Sequence, residues 1–362
     1  MRNTRLEVDL DKFINNINII KNHSKNKEII PVVKANAYGT YINKRLDILN
    51  MFNIIAVALV EEAIEIRELG YKKEILVLNQ PGIDEINDIE KYNITTGVCD
   101  KKFIQKLIEK NKEFKIHLEI ETGMNRTGIN IDELDKIIKL LNNSNILIEG
   151  VYSHFSSADY DEEYTTKQIN IFKKALNIIK TNKIDPKYIH ISASNGIINY
   201  NSFDFTNAIR PGIIMYGYKP FPNSSDKLKT DPITKLITEI TFIKKVSKGQ
   251  AISYNQKYIC EEDKIIATIP IGYADGYKRS LINNTHVYIN GEYANVVGTI
   301  CMDSCMIDIT NIENVKVGDK VIIYDDINIK LDELATKTNT INYEFLTNIS
   351  YRVPRKFIKK EN

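Results

Sequence analysis

The 362-residue sequence has no tryptophan, only four cysteines and five histidines, and no long uninterrupted apolar run. The cysteines, Cys99, Cys260, Cys301 and Cys305, are too sparse for a disulfide framework in a chain of this length, and none falls in a C-x-x-C pair. Cys301 and Cys305 sit in an apolar stretch without a nearby histidine, so they are expected as small buried hydrophobes and no metal site is expected. An excess of one charge is also missing. Forty-nine Lys and Arg face 47 Asp and Glu, interspersed, for a net charge of +2, which leaves no electrostatic footprint for nucleic acid or an anionic membrane. The first 22 residues break their apolar positions with charges and asparagine, so neither a signal-peptide core nor a membrane span is read there, and a cytoplasmic protein is expected.

What the chain does have is apolar material in two textures. Hydrophobic residues make up 43% of it, and its length suggests about two domains at roughly 100–200 residues each. Short Val/Ile-rich runs recur at residues 29–33, 54–58, 75–78, 94–98, 116–120, 146–153, 188–192 and 205–210. Between them, residues 45–52, 61–69, 84–92, 101–110, 132–141 and 163–179 space their apolar positions by three and four, the helical period. Continuous apolar runs suit parallel strands buried on both faces. Eight such strands alternating with helices predict an α/β fold, a (β/α)8 barrel of the TIM type, although a doubly wound open sheet would give most of the same string.

Beyond Pro220 the texture changes. Residues 236–246, 265–271, 286–289, 294–309 and 321–324 are β-branched runs cut by Gly, Asn and Asp, the pattern of an all-β domain. Asn290-Gly291 and Val317-Gly318-Asp319 mark hairpins. The polar, turn-rich segment 219–226 sets the expected boundary, with a barrel over residues 1–225 and a β-rich domain over 226–362.

Reactive groups of such a barrel project from the carboxyl ends of its strands. The first run ends in Lys34, and a lysine leaving an apolar wall is partly desolvated, which lowers its pKa toward use as a nucleophile or base. Alone this is weak, because a lysine at a strand end is usually a solvated charge. Arg126 follows the fifth run, His154 ends the sixth, Ser194 follows the seventh and Arg210 ends the eighth, so all converge on one rim. Ser194-Asn195-Gly196 and Arg210-Pro211-Gly212-Ile213 fall after strands seven and eight, where barrels commonly seat a phosphate. A lysine facing a phosphate seat suggests pyridoxal 5′-phosphate held through that amine.

Six segments carry a resemblance: Val32-Val33-Lys34-Ala35-Asn36-Ala37-Tyr38-Gly39, His154-Phe155-Ser156-Ser157-Ala158-Asp159, Arg210-Pro211-Gly212-Ile213-Ile214-Met215-Tyr216-Gly217, Ile269-Pro270-Ile271-Gly272-Tyr273-Ala274-Asp275-Gly276-Tyr277, Ile300-Cys301-Met302-Asp303 and Ser350-Tyr351-Arg352-Val353-Pro354-Arg355. In this order they resemble the alanine racemase family, pyridoxal-phosphate enzymes of fold type III with an N-terminal (β/α)8 barrel and a C-terminal β domain. The resemblance implies that Lys34 carries the cofactor and is one base, and that Tyr254 is the second, acting from the opposite face of a planar intermediate. A tyrosine, which in water titrates near pH 10, needs its phenolate stabilised, and His154 with Arg210 resembles the family's relay for this purpose. Arg210 also resembles the residue facing the pyridine nitrogen, which a permanent cation leaves unprotonated. Tyr38, Ser194, Gly212, Ile213 and Tyr351 match phosphate-binding positions. Arg126 and, through its backbone amide, Met302 match positions that hold the substrate carboxylate, with Tyr273 and Asp303 in supporting places.

Three departures stand out. Seven residues before Arg126, where many relatives carry a lysine modified to a carbamate, this chain has Glu119, expected to pair with Arg126. Thr40-Tyr41 replaces the usual His-Gly, and Asn255 follows Tyr254 where glycine is common. The resemblance implies a homodimer with shared active sites that interconverts L- and D-alanine and supplies D-alanine for peptidoglycan. Alternatives are a serine or broad-specificity racemase, a decarboxylase of similar architecture, and a non-catalytic cofactor carrier, the last usually lacking a second domain.

Overall fold

The computed structural model describes residues 2–221 and 224–359. Pro222 and Asn223 of the expected linker lie outside the described residues. The chain forms two compact units, one of residues 17–215 and 223–229, the other of residues 1–16, 216–222 and 230–362.

The first unit is the barrel. Six parallel strands, Ile54–Val57, Glu74–Val77, Thr95–Val98, Phe114–Glu119, Ile146–Tyr152 and Tyr188–His190, pair in sequence order. A parallel pair, Glu28–Ile29 with Ala208–Ile209, completes the ring. The Val33 amide donates to Ala56 O at 2.8 Å on one side, and the Arg210 amide donates to Ser192 O at 2.9 Å on the other. All four residues of Ile54–Val57 are buried, as two-sided coverage requires.

The helices outside the ring follow the apolar spacing. Lys101–Glu109 buries Phe103, Ile104 and Leu107, and its first turn is capped by the Asp100 carboxylate, which accepts from the Lys102 amide. Glu162–Thr181 is capped in the same way by Asp161 and buries Phe172, Ala175 and Ile179. Each such fully buried large apolar side chain contributes about 1.5–3 kcal/mol.

The second unit holds a nine-stranded, largely antiparallel sheet. Its strands are Arg5–Asp9, Thr234–Glu239, Phe242–Val246, Lys264–Ile269, His286–Ile289, Glu292–Val297, Cys305–Asp308, Lys320–Tyr324 and Arg355–Ile358. Asn290 and Gly291, at φ +49° and +90°, make the expected two-residue hairpin between Ile289 and Glu292.

Three features differ from the sequence reading. Residues 1–16 belong to this unit and not to the barrel, because Arg5–Asp9 pairs with Thr234–Glu239 and Arg355–Ile358 and buries Leu6 and Val8 against the sheet. The run 294–309 is interrupted by a loop between Val297 and Cys305 that carries Met302. Helices Leu331–Lys337 and Asn342–Thr347 accompany the expected β domain and are not placed by the sequence reading. No helix among the described residues is long and apolar enough to cross a membrane.

Candidate active site

Immediately after the first barrel strand the backbone reverses its hand. Ala35, Asn36, Ala37 and Tyr38 have φ of 51–56°, and Gly39 follows at 77°. The Ala37 amide donates to Val33 O and the Gly39 amide to Ala35 O, both at 2.9 Å, closing a left-handed turn. For side-chain-bearing residues that hand costs about 1–2 kcal/mol each, so the surroundings must over-determine it. Thr40 Oγ1 donates to Ala37 O at 2.7 Å, the Tyr41 amide to Asn36 O at 2.8 Å, and the Ala35 amide to the Glu62 carboxylate at 2.5 Å. Lys34 stands at the head of this turn. Burial lowers its pKa, the charge of Arg126 lowers it further, Glu62 opposes, and Arg210 adds to the lowering.

Arg210 is 2% exposed and organises the barrel interior. Nη1 donates to His190 Nδ1 at 2.5 Å and His190 O at 3.2 Å. Nη2 donates to Ser153 O at 2.7 Å, His154 Nδ1 at 3.3 Å and Ile191 O at 3.3 Å. These bonds leave Nε as the remaining donor of the guanidinium. Tyr152 stacks on His190 at 5.3 Å and 6°, with the Arg210 guanidinium 5.2 Å from its ring centre.

Burial and then Arg210 push His154 down to about 3, and burial holds His117 at about 3 and His190 well below the usual histidine value. All three are therefore neutral at physiological pH. Arg210 is itself lowered by burial, to about 10, and stays charged.

Gly212, Ser194 and Tyr38 form a donor cradle. The Gly212 amide donates to Ser194 Oγ at 3.2 Å. A Cβ on Gly212 would sit 2.5 Å from Tyr38 Oη and 3.7 Å from Ser194 Oγ, so only glycine lets the backbone this close. Ile213 opens the short 3-10 turn Ile213–Tyr216 directly after it. Burial, with the charge of Glu62 second, raises Tyr38 above the usual phenol range, so it remains a protonated donor.

Glu119 is not paired with Arg126 as expected. Thr127, one residue further along the loop, donates its hydroxyl to Glu119 Oε1 at 2.9 Å, while Arg126 is exposed and forms no ion pair with Glu119 among the described residues. The loop holds this shape because the Glu121 carboxylate accepts from the Gly123 and Asn125 amides. Burial raises Glu119, with Thr127 and then Arg126 opposing, so Arg126 acts on it through charge alone.

Tyr254, Tyr273, Met302, Asp303 and Tyr351 belong to the β unit. Tyr254 opens a 3-10 turn between Ser253 and Asn255, both at positive φ. Ser253 Oγ donates to Thr299 O at 2.6 Å and Thr299 Oγ1 donates to Tyr254 O at 3.0 Å, fixing the main chain on both sides of the ring. The Tyr273 and Ala274 amides donate to Cys301 O and Met302 O at 3.1 and 3.0 Å. Asp303 accepts from Arg352 Nη2 at 2.6 Å, next to Tyr351. The side chains themselves face outward: Tyr254 is 67%, Met302 52%, Tyr273 44% and Tyr351 85% exposed.

Sequence reasoning missed His117, His190, Tyr152 and Glu62. It took the groups that follow the apolar runs, whereas His117 lies within its strand, Tyr152 and His190 are the last residues of theirs, and Glu62 sits on a helix.

A half-buried amine of lowered pKa, a buried guanidinium and a hydroxyl–amide cradle stand together at the mouth of one (β/α)8 barrel. The chain belongs to the alanine racemase family: the family's N-terminal domain matches residues 8–220 and its C-terminal domain residues 233–357. It is 42% identical to alanine racemase 1 of Clostridium acetobutylicum and to alanine racemase of Clostridium tetani, in each case over 98% of this chain and 95% of the relative. Among solved structures, an alanine racemase of Clostridium difficile superposes with a TM-score of 0.91 at 35% identity, covering 98% of this chain and 95% of the other. The alanine racemase of Bacillus anthracis with bound L-Ala-P superposes with a TM-score of 0.90 at 36% identity, covering 99% and 96%.

Proposed function

We propose that this chain is a pyridoxal-phosphate-dependent racemase that interconverts L- and D-alanine in the cytoplasm and, in a bacterium, supplies D-alanine for peptidoglycan. The observation that carries the reading is the barrel mouth: the Lys34 amine, electrostatically coupled to Arg126 and Arg210, shares it with the Tyr38–Ser194–Gly212 cradle. These residues fit the cofactor, since a side chain at 212 would crowd Tyr38 Oη, one of the two hydroxyls that with the Gly212 amide would hold the phosphate.

When bound, pyridoxal phosphate supplies an electron sink that acidifies the α-proton of an attached amino acid. Lys34 would hold it and exchange a proton at Nζ, its lowered pKa raising the share of neutral amine above that of an exposed lysine. Arg210 Nε would face the ring nitrogen and, as a cation, keep it unprotonated. Tyr38, Ser194, Gly212, Ile213 and Tyr351 would hold the phosphate, and Arg126 with the Met302 amide the substrate carboxylate. Tyr254 would handle the proton on the other face at Oη. His154, accepting from Arg210 at Nδ1, carries its own proton on Nε2 and would donate it to that phenolate. Glu119 would moderate Arg126 by its field.

Tyr254, Tyr273, Met302 and Tyr351 stand outward on mutually bonded loops of the β unit. They support a homodimer in which Tyr254 and Met302 serve the partner's barrel.

The test is incubation of the full chain, loaded with cofactor, with L-alanine in deuterated water, following D-product and α-deuterium together. D-alanine carrying deuterium is expected, and a loaded protein giving neither overturns the reading. Serine and other L-amino acids belong in the same assay, because Thr40-Tyr41 and Asn255 alter the residues flanking Tyr38 and Tyr254.

A further inference from the structure

The left-handed turn after Lys34 depends on a side chain from the next βα unit. A helical turn of either hand leaves its first amides without carbonyl partners, and here one of them, Ala35 N–H, meets Glu62 Oε1 at 2.5 Å. The other oxygen of the same carboxylate accepts the Ala58 and Leu59 amides at 2.8 and 3.2 Å, closing the start of helix Val60–Glu68. One half-buried carboxylate therefore ties the backbone next to Lys34 to the end of strand Ile54–Val57. Three residues along the same helix, Glu65 pairs with Lys44 at 2.8 Å, a second and more exposed fastening of the lysine segment.

We propose that Glu62 is a positioning residue for Lys34: by pinning the Ala35 amide it fixes the left-handed turn and so sets where the lysine amine stands in the barrel mouth. The charge works in the same place. The groups that act on Lys34 are Arg126 from the loop after Phe114–Glu119, Arg210 after Ala208–Ile209, His154 after Ile146–Tyr152, and Glu62, which also acts on Tyr38 of the same turn. Both arginines favour the neutral amine, His154 is neutral, and Glu62 supplies the opposing negative charge. The αL backbone explains why a carboxylate is needed, since four residues of that hand hold together only if their unpaired amides are satisfied.

The inference rests on Lys34 being the reactive amine, and it is tested without cofactor or substrate. Full-length chain is labelled by formaldehyde and cyanoborohydride across pH 6–11, Lys34 modification is read by peptide mass spectrometry, and Ala35 amide exchange is read in parallel. In Glu62→Gln a neutral amide can no longer accept on both sides, so Ala35 exchange is expected to quicken by about tenfold. The Lys34 labelling profile is expected to move to lower pH, with labelling at pH 7 faster by about twofold or more. Glu65→Gln is expected to leave both unchanged. Glu62→Asp, which keeps the charge but loses the reach, is expected to quicken Ala35 exchange and serves if the glutamine variant fails to fold. Unmoved Ala35 exchange in both Glu62 variants, or a lower melting temperature with an unmoved Lys34 profile, overturns the proposal. Loss of racemisation in Lys34→Ala tests the underlying reading separately.

Discussion

Arg210 Nη1 lies 2.5 Å from His190 Nδ1, and because a guanidinium has only protons to give, it fixes the direction of every bond beyond it. His190 must accept at Nδ1, so its proton is on Nε2, which lies 2.9 Å from His117 Nδ1 and donates to it. Both rings are thereby held as single neutral tautomers behind the arginine. His190→Phe removes a charge-assisted bond from a buried cation and should cost about 1.5–3 kcal/mol of stability, read as a lower urea midpoint. An unchanged midpoint would show that carbonyl oxygens alone suffice for Arg210.

The same histidines set an acid limit. Their folded pKa values lie below the ordinary histidine value, at about 3 for His117 and His154, so the unfolded chain binds protons that the folded chain refuses. Stability is complete above about pH 6.5 and falls as pH drops toward 3, at up to about 1.4 kcal/mol per pH unit for each histidine. Glu119, raised by burial, acts with the opposite sign at the acid end, where the folded chain takes its proton first. Urea midpoints measured from pH 8 down to 5 should begin to fall below about pH 6.5, and His117→Asn should flatten that slope.

At Gly212 the limit is space. A methyl group there would meet Tyr38 Oη at 2.5 Å, although the backbone itself tolerates alanine. Gly212→Ala should weaken cofactor binding by about tenfold or more, by absorbance titration, with little change in melting temperature. A large loss of melting temperature with normal binding would contradict the cradle.

In the left-handed turn the strain itself is measurable. Ala35 is exposed at φ 51°, so Ala35→Gly sheds the wrong-hand penalty and should raise the unfolding free energy by about 1 kcal/mol. Ala35→Val should lower it by more, and the reverse order would mean that the turn is not left-handed in solution.

Sharing of sites between copies has a complementation test. Mixtures of Lys34→Ala and Tyr254→Phe chains should recover part of the activity that each lacks alone, as each hybrid dimer keeps one intact lysine–tyrosine pair. Absence of recovery after proven subunit exchange would place Tyr254 with its own barrel.

The barrel was legible because two-sided burial writes itself as unbroken runs, such as 54–58, and coverage by helices writes itself as a three-and-four spacing, as in 101–110. Strand-end groups such as Lys34, Arg210 and Ser194 followed from the direction of the strands alone. Arg5–Asp9 was not legible as part of the second unit, since its partners lie more than 220 residues away and five residues alone do not say which sheet they join. The contact of Glu119 with Thr127 in place of Arg126 depends on how a short loop turns, which spacing cannot give. Glu62 hid for a different reason: its place as an ordinary helix-capping glutamate accounts for it fully until the Ala35 amide is seen beside it.

The placement of Arg5–Asp9 between Thr234–Glu239 and Arg355–Ile358 makes the sheet a clasp fastened by both ends of the described chain. A gene fragment starting at codon 226 would yield a sheet with an open slot and two bare strand edges, prone to self-association. Supplying residues 1–16 as a tethered extension after residue 359, through a crossover linker of about a dozen residues or more because the two strands run parallel, would fill that slot and is the rational way to produce this half alone.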